Sequence, residues 1–212
     1  CATIGNVGFL GIPMLAMLMG PEAVLWVMLV LAIDQLVFGS LIVILIVGSR
    51  DGRMSIGVLR TVGLGLIKNP MIMAMAAGLL CSSSGVSLPT PATEFFDILG
   101  AAATPGALFA IGASLASKSA ERISVASWLA FCKLVLHPAA VAIAALLVFP
   151  VAPYPAAVLI AATALPVAGN IFILATHYEV APQRVSASIF LSTVASVVTV
   201  SLVIAWVSAL YS

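Results

Sequence analysis

Two segments of the chain combine glycine, proline and asparagine inside stretches that are otherwise apolar. Residues 5–13 contain Asn6, Gly8 and Pro13, and residues 164–170 contain Pro166, Gly169 and Asn170. Because proline removes an amide donor and glycine tolerates strained dihedral angles, each segment predicts a break in a helix. Asparagine offers amide donors and a carbonyl acceptor, and a half-helix that starts near Pro13 or Asn170 carries about half a positive elementary charge. The two breaks therefore predict a binding site for a small anion.

A second candidate cluster consists of three ionisable residues inside apolar stretches, Asp34, Lys133 and His137. A charge at the centre of a bilayer costs at least about 2.5–3.5 kcal/mol, so such residues are functional by default. Lys133 and His137 are spaced i, i+4 and share one face of a helix. We interpret the cluster as a coupling site, in which Asp34 exchanges a proton or counter-charge and Lys133 attracts a carboxylate or replaces a coupling cation. In the structural alternative, Asp34 and Lys133 form an ion pair between two helices, and His137 bonds a carbonyl left free by Pro138.

The composition of the chain indicates what surrounds these residues. Of the 212 residues, 63% are hydrophobic and 7% are charged, whereas a soluble domain has roughly 45–50% and about 25%. So much apolar surface predicts an all-α polytopic protein embedded in the lipid bilayer. The net charge of +1 provides no basic surface for nucleic acid. The three cysteines lie far apart, so we predict no disulfide framework, no metal site and no cofactor.

Seven stretches are long and apolar enough for membrane-spanning helices, which need about 20 residues each. They cover residues 1–19, 23–48, 69–86, 92–117, 124–149, 154–178 and 183–210. With these spans the basic residues between them fall on one side, which the charge bias of membrane proteins identifies as cytoplasmic. These residues are Arg50, Arg53, Arg60, Lys68, Lys118, Arg122 and Arg184. The segment from Met54 to Leu66 is expected to form either an amphipathic helix in the interface or a flexible loop.

Small and hydroxyl side chains mark two further spans. In the fourth span, small residues at four-residue spacing predict a close helix contact, either inside one molecule or between the protomers of a homodimer. They are Ala102, Gly106, Ala110 and Ser114. In the last span, Thr193 and Ser196 lie at the depth of the breaks and are candidates for lining the site. The alternative is that both hydroxyl groups bond to their own helix.

The two breaks enter the membrane from opposite faces, the first from the inside and the one in the sixth span from the outside. A single proline kink is common in membrane helices. Paired interruptions at corresponding places of two inverted halves are instead typical of the binding site of a secondary transporter. The chain has no GxxxxGK[ST] loop for ATP, so we expect an ion gradient to supply the energy.

Four motifs follow one another along the chain. They are NVGFLGIP at 6–13, KNP at 68–70, TPGALFAIG at 104–112 and LPVAGN at 165–170. Together they resemble the auxin efflux carrier family, whose bacterial members are described as malonate or related organic-anion permeases. The resemblance implies a ten-helix protein of two inverted five-helix repeats, similar to bile-acid symporters and sodium–proton antiporters. Its fourth and ninth helices are broken and cross at the substrate site.

On this arrangement the seven spans are helices four to ten, and the helices before them are absent from the chain. Residues 1–48 end the first repeat, 49–68 form a cytoplasmic loop, 69–117 are scaffold helices, and 118–212 are transport-bundle helices that include the broken helix 154–178. Plant members often carry a long hydrophilic loop where this chain has 49–68. The short loop favours a bacterial-type permease in the inner membrane.

The predicted function is that of a secondary active transporter, which moves a small organic anion such as a carboxylate by alternating access. The coupling ion is a proton or sodium. One alternative is a cation-coupled symporter or antiporter of the same fold. Another is a channel or sensor, although the repeated polar rings of a channel are missing. An enzyme is not predicted, because the sequence has no HExxH or GxSxG motif and no evident pair of nucleophile and base.

Overall fold

The computed structural model describes residues 1–51, 60, 63–64, 67–68, 70–85, 88–116 and 123–211. In this part of the chain the regular structure is helical, apart from one isolated antiparallel bridge between Gly5 and Val167. The chain divides into two compact units, one formed by Cys1–Leu31 and Thr104–Ser212 and the other by Ala32–Ala103. This confirms the all-α class that the composition predicts.

The described α-helices follow one another in this order. They are α1 (Ile12–Met19), α2 (Ala23–Ile33), α3 (Ser40–Asp51), α4 (Pro70–Ser84), α5 (Thr90–Ala116), α6 (Ile123–Phe131), α7 (His137–Ile143), α8 (Pro153–Thr163), α9 (Asn170–His177) and α10 (Pro182–Tyr211). Wider turns with the π hydrogen-bond pattern precede α1, join α2 to α3, join α6 to α7, and follow α7. These π turns are Val7–Gly11, Asp34–Gly39, Cys132–Leu136 and Ala144–Val148.

Within the described part of the chain, three continuous helices are long and apolar enough to cross a membrane, judged by length and composition. They are Ala23–Ile46, Ile123–Val148 and Pro182–Leu210. Each of the seven predicted spans contains a helix. The count of seven crossings, the ten-helix inverted repeat and the domain boundaries stay predictions.

Some of the predicted features fall outside the described residues. The interfacial helix expected from Met54 to Leu66 does so, apart from residues 60 and 63–64, and so do Lys118 and Arg122. The surroundings of three residues in the predicted contact of the fourth span are also outside the described part. They are Gly106, Ala110 and Ser114.

A π turn that the sequence did not predict precedes the first α-helix. This turn starts at Val7, directly after Asn6, and α1 itself starts at Ile12, next to Pro13. The amides of Leu10 and Gly11 both bond to the Asn6 carbonyl, each at 3.1 Å, which gives the wider turn. Pro13 is the second residue of α1, where a missing amide donor is tolerated. The α-helices therefore start near Pro13 and at Asn170, where the sequence places them, and the π turn before Pro13 was not predicted.

The core of the first unit surrounds α8 and the break after it. Residues 156–168 are buried, except for the half-buried Leu159. Helix α8 packs against α7 and α10, and α10 also packs against α6 and α9. A helix that is apolar on every side needs neighbours on every side. The second break is consequently held inside protein, where unwound backbone can survive.

Candidate functional site

The two breaks lie side by side and bond to each other through the backbone, at a place that we call the crossing. The Asn6 amide donates to the Pro166 carbonyl at 2.8 Å, and the Ala168 amide donates to the Ile4 carbonyl at 3.3 Å. These bonds flank the antiparallel bridge between Gly5 and Val167. A buried amide without a partner costs free energy, so each break supplies the acceptors that the other lacks. The crossing therefore forms one hydrogen-bonded unit.

Ser192 of α10 adds a third attachment to the crossing. Its hydroxyl accepts a hydrogen bond from the Val167 amide at 3.1 Å and donates to the Ile189 carbonyl at 3.1 Å. The Ser192 side chain is fully buried. The sequence instead singled out Thr193 and Ser196, whose hydroxyls donate to carbonyls of their own helix, each at 2.7 Å. Successive residues of a helix point about 100° apart, and the sequence does not show which side of α10 meets the break. For that reason Thr193 was chosen in place of its neighbour Ser192.

The two asparagines stand at the starts of helical segments beside the crossing. Asn6 directly precedes the π turn Val7–Gly11 and is buried, and its side chain makes no capping bond. Asn170 is the first residue of α9. Its Oδ1 is buried and accepts no hydrogen bond from the described residues. Because the two ends of an amide exchange places on a 180° rotation, this buried position can present either an acceptor or a donor.

The remaining predicted binding residues shape the backbone near these asparagines. Pro166 supplies the carbonyl that Asn6 bonds, and Gly169 is the N-cap of α9. Gly8 lies within the π turn, where a Cβ would approach Leu31 at 3.5 Å, an ordinary contact distance. These residues adjoin the crossing, whereas Pro13 lies farther along the first half-helix.

Lys133 connects the crossing to α6 and α7. It lies in the π turn Cys132–Leu136 and is fully buried. Its Nζ donates to the Thr163 carbonyl at the end of α8, and it lies 3.2 Å from His137 Nδ1. A Cβ added at Gly5 would stand 3.2 Å from the same Nζ. The ammonium group therefore stabilises the negative end of α8 beside both breaks, and His137 shares its face as the spacing predicts.

Asp34 is likewise buried in a π turn, in the second unit. It is the first residue of the π turn Asp34–Gly39 and is 3% exposed. A carboxyl group buried in an apolar helix is a candidate for proton exchange. Asp34 and Lys133 belong to different compact units, and their pairing stays a prediction.

The sequence of residues 1–204 matches the model of the family described as "Membrane transport protein". The chain belongs to this family. The match confirms the resemblance to the auxin efflux carriers that the four motifs carry.

A curated relative of this carrier family supports the same assignment. It is the "Putative malonate transporter" of Rhizobium meliloti (strain 1021), 28% identical over 202 residues. The alignment covers 93% of the chain and 62% of the relative, so the chain spans less than two thirds of that protein's length. Family and relative both point to a membrane transporter and away from an enzyme.

Tyr154 connects the ends of α1 and α8 that lie away from the crossing. Its hydroxyl donates to the Met19 carbonyl, the last of α1, at 2.9 Å. Gly20 follows with a φ of 93°, a left-handed value that ends helices and favours glycine. The two half-helices are thus tied at both ends. The sequence signalled the helix end through Gly20-Pro21, but it gave no indication that Tyr154 would reach it.

Proposed function

We propose that the protein is a secondary transporter that moves a small organic anion across the membrane by alternating access. The observation that carries the proposal is the pairing of two unwound segments, in which the Asn6 amide bonds the Pro166 carbonyl and the Ala168 amide bonds the Ile4 carbonyl. In transporters built from inverted repeats, such a crossing presents helix starts and unwound backbone to the substrate. We further propose the bacterial inner membrane as its location.

A carboxylate is the proposed substrate group because the crossing concentrates neutral donors and helix starts. The first amides of a helix have no partner within it, and helical segments start at Val7 and Asn170 beside the crossing. A hydrogen bond to a charged group contributes about 1.5–3 kcal/mol. The malonate named for the relative is a compact dicarboxylate, which suits two asparagines that each engage one carboxylate.

Coupling is proposed to involve Asp34, Lys133 and His137. Lys133 holds a fixed positive charge at the end of α8, next to the breaks. In secondary transporters, the C-terminal end of a half-helix is where a coupling cation binds. In this chain the Lys133 ammonium group occupies the corresponding position at the end of α8. Asp34 then exchanges a proton during the transport cycle. Sodium is the alternative coupling ion.

Counterflow in proteoliposomes, with a panel of monocarboxylates and dicarboxylates, tests the proposal. The parent should show saturable exchange of at least one small dicarboxylate. Asn6→Ala and Asn170→Ala should each raise the KM by ~10–140-fold, the equivalent of a lost charged hydrogen bond of about 1.5–3 kcal/mol. Thr176→Ala in α9 is the matched control, because its hydroxyl is exposed and donates to the Phe172 carbonyl of its own helix.

The stability of Asn170→Ala separates a binding role from a structural one. Since Asn170 Oδ1 has no partner among the described residues, its removal should leave the melting temperature unchanged or raise it. Parent-like transport by both asparagine variants would refute the site. Flux that does not saturate with substrate would instead favour a channel.

A further inference from the structure

At Gly11 the first half-helix lies very close to the second break. Of the glycines whose surroundings are described, it is the one at which an added Cβ would meet another atom at the shortest distance. A Cβ added at Gly11 would lie 2.7 Å from Leu165 Cδ1, and 3.5 Å and 3.6 Å from methyl groups of Val7 and Val27. Ordinary contacts of a Cβ begin at 3.4 Å, so a methyl group here must displace Leu165 by about 0.7 Å.

Leu165 is enclosed by protein. Its side chain is fully buried, as are Ala164 and Pro166 on either side of it. Protein interiors are close-packed and transmit strain, so adding a methyl group to them shifts backbone as well as side chains. The backbone in question carries the Pro166 carbonyl that bonds the Asn6 amide. Displacing Leu165 therefore displaces the crossing itself.

Among the glycines whose surroundings are described, Gly11 is the one where an added Cβ would come within 3.0 Å of another atom. Gly8 lies on the same π turn, but a Cβ there would meet Leu31 at 3.5 Å, which is an ordinary contact. At Gly78 in α4, no described atom lies within 4 Å of an added Cβ. The requirement for glycine at position 11 thus comes from Leu165 and not from the helix.

We propose that Gly11 is a positioning residue of the carrier. Its missing side chain seats Leu165 against the first half-helix, and this contact sets the register in which the two breaks bond. The inference rests on the proposed function for what that register serves, namely placing Asn6 and Asn170 for the anion. Gly11 itself acts through Leu165 and contacts no substrate.

A double-mutant cycle with four proteins tests the proposal: the parent, Gly11→Ala, Leu165→Ala and the combination. Two quantities are measured, the KM of dicarboxylate counterflow and the hydrogen–deuterium exchange of peptides that cover residues 4–8 and 164–169. Because a misplacement of about 1 Å can cost on the order of 100-fold in an active site, we expect Gly11→Ala to raise the KM at least ~10-fold. The same variant should accelerate exchange in both peptides.

The combined variant should recover most of both losses, because alanine at position 165 removes the carbon that the new methyl group meets. Leu165→Val serves the same purpose if Leu165→Ala alone fails to fold, since valine also lacks Cδ atoms. Gly78→Ala should match the parent in both measurements. Additive effects of the two substitutions, or a Gly11→Ala variant with parent-like exchange and KM, would overturn the proposal.

The two readouts distinguish failure of this inference from failure of the proposed function. If the parent shows no counterflow of any carboxylate, the proposed function is refuted. The hydrogen–deuterium exchange measurement still reports the contact between Gly11 and Leu165. Recovery of protection in the combined variant then supports the positioning role by itself. Absence of recovery overturns it, whether or not the parent transports.

Discussion

Replacing Ser192 with alanine should remove one hydrogen bond from the second break and destabilise it, while Asn6 and Asn170 stay unchanged. The substitution removes the hydroxyl oxygen that accepts from the Val167 amide at 3.1 Å. Because Val167 is 1% exposed, water does not replace the lost acceptor, and an unsatisfied buried donor costs about 1–3 kcal/mol. At ~2–4 °C per kcal/mol for a protein of this size, the melting temperature should fall by ~2–12 °C.

Ser201→Ala on the same helix is the matched control. The Ser201 hydroxyl is exposed and donates to the Val197 carbonyl of α10 at 2.7 Å, just as the Ser192 hydroxyl donates to Ile189. Both substitutions therefore lose a bond within the helix, and only Ser192→Ala also orphans an amide of the break. The difference between the two variants isolates that amide.

The assay combines thermal unfolding in detergent with hydrogen–deuterium exchange. The peptide that contains Val167 should exchange ~5–140-fold faster in Ser192→Ala, the equivalent of about 1–3 kcal/mol. It should exchange at the parent rate in Ser201→Ala. Equal melting temperatures for the two variants, together with unchanged exchange at Val167, would refute the reasoning.

Three further substitutions test the polar groups around the crossing. Lys133→Met should lower the melting temperature and abolish substrate accumulation, because the Thr163 carbonyl loses its charged donor. Uptake at the parent level would contradict this prediction. Asp34→Asn should abolish uptake driven by a proton gradient while leaving counterflow, and an unchanged dependence on the gradient would exclude proton exchange at Asp34. Tyr154→Phe loses a bond to the Met19 carbonyl and should cost about 0.5–1.5 kcal/mol in thermal unfolding; no measurable loss would show that the bond is replaced.

The sequence predicted the positions of the helices because the apolar stretches are long and their interruptions are sharp. Glycine, proline and asparagine marked both breaks, and the structure brings them together through Asn6 and Pro166. The shared face of Lys133 and His137 followed from i, i+4 spacing. Each of these predictions rests on a local rule that tertiary packing does not change.

The features that sequence reasoning missed depend on packing or on rotation about a helix axis. Nothing in the apolar sequence around Gly11 indicates that Leu165 will lie against it. The choice between Ser192 and Thr193 depends on which side of α10 meets the break, and a helix that is apolar all round gives no such signal. For the π turns a partial signal exists, because Pro13 and Pro138 each follow such a turn by two residues.

The π turn at Cys132–Leu136 determines what the deletion of one residue would do to the protein. Its closing bond runs from the His137 amide to the Cys132 carbonyl, so the turn holds one residue more than an ordinary α-helical turn. Deleting a single residue here would restore the regular pattern and rotate the preceding helix by about 100° relative to the following one. Lys133 would then point away from the Thr163 carbonyl, although no polar residue had been altered. In this protein the direction of a charge is encoded in helix length as well as in residue identity.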